Sequence, residues 1–197
     1  MIFDLGGVLV AEGAPIARRV WESRLGLTVG ELDQIVTEAI GPGWVGGRSE
    51  AEICRRLREV TGLVQSEVDD LLEDFYSNAY LDPALAAFIR SVRRRFKVAT
   101  LSNAAPGNRR AMTDKFALDQ LVDLMVISAE EGIQKPDPAI YLRTAERLGV
   151  DPTDCVFVDD RLDNVEGAMA VGMTAFVHTR SPATVTRLAE LTVGGTG

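Results

Sequence analysis

Polar residues that can do chemistry stand at the ends of apolar runs in this sequence of 197 residues. They are Asp4, the pair Ser102 and Asn103, Lys135, and the pair Asp159 and Asp160. Each of them alone is typical of a turn or a helix cap. If the runs are parallel strands, however, their carboxyl ends share one edge of a sheet, where ligands bind. We therefore expect one cluster containing a cation, donors for an anion and a carboxylate nucleophile.

The elements that would position this cluster alternate between strand and helix in the second half of the chain. Apolar runs predict strands at 96–103, 123–128, 155–160 and 174–178, in addition to a buried strand within 1–10. Helical patterns separate them, and such alternation is typical of a parallel sheet covered by helices on both faces. The predicted fold is α/β, a Rossmann-like parallel sheet. Only three residues precede Asp4, so the first strand is either short or begins upstream of Met1.

A helical segment interrupts this core. Thr28 with Glu31 and Ser49 with Glu52 each fit a capping box, and Asp82 followed by a proline fits a helix start. We therefore expect a core at 1–12 and 83–197, with an inserted helical cap at 13–82. A last helix is expected from Ser181, followed by a frayed tail at 193–197.

Other conspicuous residues have structural interpretations. The glycine-rich stretch 41–47 predicts a loop anchored by Trp44, with a substrate-facing lip as the alternative. Trp21 and Phe75 lie on amphipathic helical patterns and are expected in a core, although they could line a pocket. The single histidine, His178, ends a strand without a partner motif and is expected to be structural. The two cysteines, Cys54 and Cys155, are expected to be small buried hydrophobic residues.

The composition limits the classes of molecule that the protein is expected to bind. A formal net charge of -8 gives no general attraction for nucleic acid or anionic membranes. No apolar run is long enough to span a membrane, and no basic region precedes the apolar N-terminus. We expect a cytoplasmic protein that binds neither nucleic acid nor membrane, either a monomer or a homodimer.

Four motifs carry a family resemblance. FDLGGVLV, LSN, KPDP and VDDRLDN resemble, in order and rough spacing, the four motifs of the haloacid dehalogenase superfamily of phosphatases. The resemblance is to the branch with a helical cap, and the DLG-type first motif is similar to that of sugar-1-phosphate phosphatases. It implies a hydrolase of small phosphorylated metabolites in which Asp4 attacks phosphorus and forms an aspartyl phosphate. It also implies that Ser102, Asn103 and Lys135 hold the phosphate, with Lys135 adding catalytic positive charge.

The same resemblance implies a magnesium site. Asp4, the backbone carbonyl of Gly6 and Asp160 would be its ligands, consistent with the preference of Mg²⁺ for oxygen. Asp159 would orient water on the metal from the second shell. Asn164 would position Lys135 or a water, with a capping amide as the alternative.

Gly6 departs from the family pattern. Most related phosphatases have there a second aspartate, which protonates the leaving group and later activates water. Such help is worth ~10²–10⁴ in rate, so we expect a slow enzyme or one selective for leaving groups that depart as stable anions. Glu12 is a candidate replacement base, with a solvated hinge charge as the alternative. The glycine itself could serve the sharp turn of the backbone beside the site.

Two other functions compete with a magnesium-dependent phosphatase. A catalytically impaired protein that binds a phosphorylated ligand or a partner would explain the loss of the acid at Gly6. A 2-haloacid dehalogenase would use the same nucleophile on carbon without metal. The paired carboxylates Asp159 and Asp160, together with Gly6, argue against it, because dehalogenases have an aromatic residue two positions after the nucleophile and lack the paired metal carboxylates.

Overall fold

The computed structural model describes residues 1–193. The first half of the chain forms β1 (Ile2–Phe3), β2 (Val10–Glu12), α1 (Ile16–Leu25), α2 (Glu31–Ile40), a 3-10 helix (Gly41–Val45), α3 (Glu50–Thr61), α4 (Gln65–Phe75) and β3 (Ala79–Leu81). There follow α5 (Pro83–Val92), β4 (Ala99–Ser102), α6 (Asn108–Phe116), α7 (Leu118–Leu121), β5 (Leu124–Ile127), α8 (Ser128–Glu131) and α9 (Pro138–Leu148). A 3-10 helix (Pro152–Asp154), β6 (Val156–Asp159), α10 (Leu162–Ala170), β7 (Thr174–Val177) and α11 (Ser181–Val193) complete the described part.

The main sheet is parallel. Within residues 1–193 its strand order is β5-β4-β1-β6-β7, so the first strand lies in the middle. Ile2 pairs with Ala99 on one side and with Phe157 on the other. The predicted α/β fold with a parallel sheet is confirmed. The central position of β1 places the residue that follows it, Asp4, between the ends of β4 and β6.

Helices cover both faces of the sheet, because successive strand residues point to opposite sides. Phe3 enters an apolar cluster with Leu85 of α5 and other buried residues. Its neighbour Ile2 enters a separate cluster with Tyr141 of α9. All four side chains are almost fully buried. This two-sided burial explains why the strands read as continuous apolar runs in the sequence.

Helices α1 to α4 bury their apolar faces against one another. Trp21, Leu32, Leu57 and Leu71, one from each helix, belong to a third cluster that is separate from the two clusters of the sheet. Cys54 is buried in the same cluster, and Cys155 lies in the core of the sheet, both as free thiols. None of the helices in residues 1–193 has an apolar stretch of the length that crossing a bilayer requires.

The structure corrects the strands near the N-terminus. The predicted strand within 1–10 is limited to Ile2–Phe3, and the chain then turns into β2, which pairs antiparallel with β3. Val10 is paired with Leu81, at the two points where the chain enters and leaves the segment of α1 to α4. This pairing joins residues far apart in sequence and has no local signature. The strand predicted at 96–103 is also shorter, because its first three residues and its last residue lie outside β4.

The helix starts agree with the sequence at most positions. The capping box of Ser49 and Glu52 is confirmed, and Asp82 accepts hydrogen bonds from the first amides of α5. The capping box predicted for Thr28 and Glu31 is wrong. Glu31 accepts a hydrogen bond from the Thr28 amide, but α2 begins at Glu31 and its N-cap is Gly30. The helix predicted from Ser181 is present. Val193 belongs to that helix, and the rest of the predicted tail, 194–197, lies outside the described residues.

Candidate active site

Polar residues at the carboxyl ends of β1 and β4, together with Asp160 directly after β6, line one cavity of about 480 Å³, whereas Asp159 is buried and is not among its lining residues. Asp4 directly follows β1, Ser102 ends β4, and Asp159 ends β6. Lys135 follows β5 at the same edge of the sheet, after the short helix α8. Of the residues predicted for the site, those that line the cavity are Asp4, Gly6, Ser102, Asn103, Lys135, Asp160 and Asn164.

A buried cation links two of the carboxylates. Lys135 Nζ lies 2.7 Å from Asp4 Oδ1 and 2.6 Å from Asp159 Oδ2. The Lys135 and Asp159 side chains are almost inaccessible to solvent, whereas about a tenth of the Asp4 side chain is exposed. An ammonium group has three donors, so one remains beyond these two contacts. Asp4 is therefore the most exposed member of this group, and Lys135 also lines the cavity.

Asn103 holds the backbone of Lys135. Its Nδ2 donates to the Lys135 carbonyl at 2.9 Å, and its Oδ1 accepts from the Lys135 amide at 2.8 Å. The side chain is thus occupied by a reciprocal pair of hydrogen bonds, so any contact of Asn103 with a phosphate falls to its backbone amide. The sequence predicts a phosphate contact for Asn103 but not these hydrogen bonds to Lys135, which connect residues 32 positions apart.

Asp159 accepts three hydrogen bonds from within the protein. Besides Lys135, it accepts hydrogen bonds from the Arg161 amide at 2.9 Å and from Asn164 Nδ2 at 3.0 Å, both on Oδ1. Asn164 itself is held by Tyr141, whose hydroxyl donates to the Asn164 carbonyl at 2.8 Å. Asn164 is the third residue of α10, and its side chain reaches back to the strand end, where it is connected to Lys135 only through Asp159.

Three carboxylates form a candidate cation site. Asp4, Asp159 and Asp160 each offer an oxygen, and these oxygens lie within 4.8 Å of one another. Burial raises the pKa of Asp160, and the neighbouring Asp159 raises it further. A concentration of acidic oxygens that disfavour one another's charge, partly compensated by Lys135, fits a hard divalent cation such as Mg²⁺. Within residues 1–193, the backbone hydrogen bonds between loops include none that ends on the Gly6 carbonyl, which leaves this oxygen available.

The two glycines after Leu5 have different roles, which corrects the conformational explanation for Gly6. Gly7 has a φ of +79°, and a Cβ placed there would lie 2.5 Å from Asp160 Oδ2. It therefore permits both a left-handed turn and the close approach of this carboxylate. Gly6 does not have a positive φ, and a Cβ placed there would meet nothing within 4 Å. The structure thus has room for a side chain at position 6, and the backbone does not require a glycine.

The surroundings of Asp4 have opposing effects on the pKa of its carboxyl group. Burial raises the pKa of its carboxyl to about 6, while Lys135 opposes the shift and the charge of Asp159 adds to it. Without Lys135, burial and the charge of Asp159 would both favour the neutral acid, and only the smaller effect of a backbone hydrogen bond at Leu5 would oppose them. The lysine therefore favours the ionised form of this carboxyl group near neutral pH.

Several residues singled out from the sequence lie elsewhere. Glu12 is engaged by Arg18, which donates to it at 2.5 Å, so its interpretation as a hinge charge agrees with the structure. His178 Nδ1 lies 2.8 Å from the Thr184 hydroxyl, outside the lining of the cavity among the described residues. Trp21 is buried among the helices, and its indole donates to Asp74. These contacts are structural.

Trp44, Gln134 and Arg161 also line the cavity. Trp44 packs against the apolar cluster of α1 to α4, in line with the anchoring interpretation, and it also lines the cavity. The loop predicted at 41–47 is mostly a 3-10 helix, Gly41–Val45. Gln134 and Arg161 were missed, although each is adjacent in sequence to a motif residue, Lys135 or Asp160. Their adjacency to these motif residues was the sequence signal that could have identified them. Nothing local indicated which neighbours of the motifs face the cavity.

The chain belongs to the haloacid dehalogenase-like hydrolases. A profile of this hydrolase family matches residues 1–172, which is most of the chain. Four of the five strands of the parallel sheet, β1, β4, β5 and β6, lie within that span, together with the acidic cluster. The family, the fold and the assignment as a hydrolase that the motifs predict are confirmed.

Two relatives that the chain matches along most of its length are phosphatases. A phosphatase of Mycobacterium tuberculosis, MT3486, is 32% identical over 194 residues, covering 92% of this chain and 87% of the relative. The sesquiterpene phosphatase astK of Aspergillus oryzae is 26% identical over 192 residues, covering 96% and 94%. Among solved structures, a family enzyme from Bacteroides thetaiotaomicron in complex with magnesium and inorganic phosphate has a TM-score of 0.77 at 20% identity, covering 90% of this chain and 92% of its own.

Proposed function

We propose that this hydrolase is a magnesium-dependent phosphatase of small phosphorylated metabolites, with Asp4 as the nucleophile. One observation carries the proposal: the accessible carboxylate of Asp4 lies in the cavity between a buried lysine and a second acidic residue, Asp160. That arrangement presents an anionic nucleophile and compensates its charge. The phosphatases among the relatives, and the magnesium and phosphate bound to a structural neighbour, support the same chemistry.

The residues have separable tasks in this proposal. Asp4 attacks phosphorus, the ester oxygen leaves, and water then hydrolyses the aspartyl phosphate, which divides one displacement into two. Lys135 keeps Asp4 ionised and directs its remaining donor toward a phosphate oxygen, and the Ser102 hydroxyl supplies another donor. Mg²⁺, held by Asp4, Asp160 and the Gly6 carbonyl, supplies positive charge that reduces repulsion between the carboxylate and the phosphate dianion.

The division of the chain fits this chemistry. We propose that residues 13–82 act as a cap over the core formed by 1–12 and 83–197. The segment contributes Trp44 to the cavity and contacts α8 of the core, where the Cβ of a residue at Gly46 would lie 2.4 Å from the Ala129 carbonyl. Such a cap excludes water and selects the organic part of the substrate. Because position 6 is a glycine, it supplies no acid to protonate the departing oxygen of the ester. The enzyme is therefore slow or favours esters whose oxygen departs as a stable anion.

The proposal is tested by hydrolysis of p-nitrophenyl phosphate with magnesium and with a chelator. We expect turnover that needs magnesium and falls at least ~10³-fold in Asp4→Asn, because the nucleophile is lost. Asp114→Asn, an exposed carboxylate on α6, is the matched control and should retain activity. Full activity of Asp4→Asn would refute the assignment. Wild-type inactivity together with turnover by Gly6→Asp would favour an impaired binding protein.

A further inference from the structure

A second cavity adjoins the candidate active site. This side chamber, of about 130 Å³, is lined by apolar residues that include Leu5, Val10, Ala79, Ala104, Ala105 and Met112. It shares Gly6, Trp44, Ser102 and Asn103 with the cavity that contains Asp4. The two spaces therefore meet at the phosphate-binding end, where one is polar and charged and the other is apolar.

Gly6 controls the junction of the two spaces. It lines both of them, and a Cβ built on it would meet no atom within 4 Å. A side chain at this position would therefore project into the shared opening. The absent side chain removes an acid from the site and, at the same time, leaves the passage into the side chamber open.

The side chamber continues between the helices. A third cavity, of about 160 Å³, shares Tyr76, Ala105 and Asn108 with the side chamber, and its lining includes Ile40 and Ile53. Asn108 Oδ1 is buried at this junction and has no hydrogen-bond partner among the described residues. A buried acceptor without a partner is costly unless a ligand supplies a donor.

The chemistry of the wall discriminates between ligands. Sugar hydroxyls placed against these apolar side chains would lose hydrogen bonds to water without replacement. Glu12 also lines the side chamber, but its carboxylate is engaged by Arg18. A hydrocarbon group of the size of benzene fits a space of this size, since a dry cavity of ~150 Å³ binds benzene in another protein.

We propose that the side chamber binds the organic part of the substrate, which is a compact apolar group, aromatic or branched, with Gly6 as the residue that admits it. This inference rests on the proposed phosphatase function and names its substrate class. It departs from the sugar phosphates that the resemblance to sugar-1-phosphate phosphatases suggests. A hydroxyl on the far end of the group would meet Asn108.

Binding of non-hydrolysable phosphonates tests the proposal without turnover. With magnesium present, calorimetry should show benzylphosphonate binding at least ~10-fold tighter than methylphosphonate, because only the benzyl group buries apolar area. Ala105→Phe, which fills the side chamber from its wall, should reduce this ratio to below about 2. Gly6→Val, which closes the junction from the other side, should do the same. Val60→Phe, on the exposed face of α3, is the control and should leave the ratio unchanged.

The outcomes separate this inference from the phosphatase assignment. Equal binding of the two phosphonates by the wild type would overturn the inference even if the protein hydrolyses phosphate esters. An unchanged ratio in a folded Ala105→Phe variant would also overturn it. Preferential binding of benzylphosphonate by a protein that hydrolyses nothing would retain the side chamber and refute the phosphatase. If Gly6→Val does not fold, the ratio of kcat/KM for benzyl phosphate over methyl phosphate in Ala105→Phe decides, with a fall expected.

Discussion

Lys135 donates a hydrogen bond to Asp4 at 2.7 Å across a separation of 131 residues. The same ammonium group reaches Asp159 at 2.6 Å, and the lysine side chain is almost fully buried. One cation therefore serves a carboxylate that faces the cavity and another that faces the core. The candidate site depends on this lysine for its fold as well as for its charge.

Removing that cation should destabilise the protein. In Lys135→Met, two buried carboxylates lose their partner, and breaking such a pair costs about 3–5 kcal/mol at neutral pH. We expect this loss in the free energy of unfolding from urea denaturation, together with loss of turnover. Lys97→Met changes an exposed lysine and should stay within ~0.5 kcal/mol of the wild type. A loss below 1 kcal/mol in Lys135→Met would show that the pair is not important for stability.

Restoring a carboxyl group at position 6 should accelerate the reaction. The structure has space for the side chain, and a general acid is worth ~10²–10⁴ in rate. We expect Gly6→Asp to raise kcat for an alkyl phosphate by at least ~10-fold, with a smaller gain for an aryl phosphate. Gly6→Asn has nearly the same shape without the acid and should give no gain. Equal rates for the two variants would mean that the carboxyl group does not act as an acid here.

The neighbouring glycine should not tolerate a side chain. In Gly7→Ala, the left-handed backbone costs ~1–2 kcal/mol, and the new Cβ displaces Asp160. We expect lower stability and weaker magnesium binding, measured by denaturation and calorimetry. Gly6→Ala is the matched variant and should change stability by less than ~1 kcal/mol. Similar behaviour of the two alanine variants would contradict the geometry of this turn.

Cation binding should weaken in acid. Because the pKa of Asp4 is raised to about 6, a proton occupies this carboxyl below that pH and competes with a metal ligand role. The raised pKa of Asp160 acts in the same direction. We expect the affinity for magnesium to be nearly constant above pH 7 and to fall by up to ~10-fold per pH unit below 6. Calorimetric titrations at constant ionic strength measure this dependence. A constant affinity down to pH 5 would exclude Asp4 as a ligand.

The residue types of the site could be predicted because their positions follow the apolar runs. Asp4, Ser102 and Asp159 mark the ends of β1, β4 and β6, and a parallel sheet brings such ends to one edge. Their order along the chain, together with the motifs, also predicted the family. The predicted start of α2 was wrong. Thr28 and Glu31 fit the capping pattern, but the helix begins directly after Gly30. A local pattern permits several starts, and packing selects one.

The sequence by itself determined which chemical groups are present, that buried strands alternate with helices, and that glycines follow Asp4. Only the tertiary structure decided that Asn103 secures the backbone of Lys135, that Gly7 rather than Gly6 is required by the turn, and that an apolar chamber opens beside the nucleophile. These features depend on distances between residues that are remote along the chain. Such distances follow from how the strands and helices pack, which no local pattern of residues specifies.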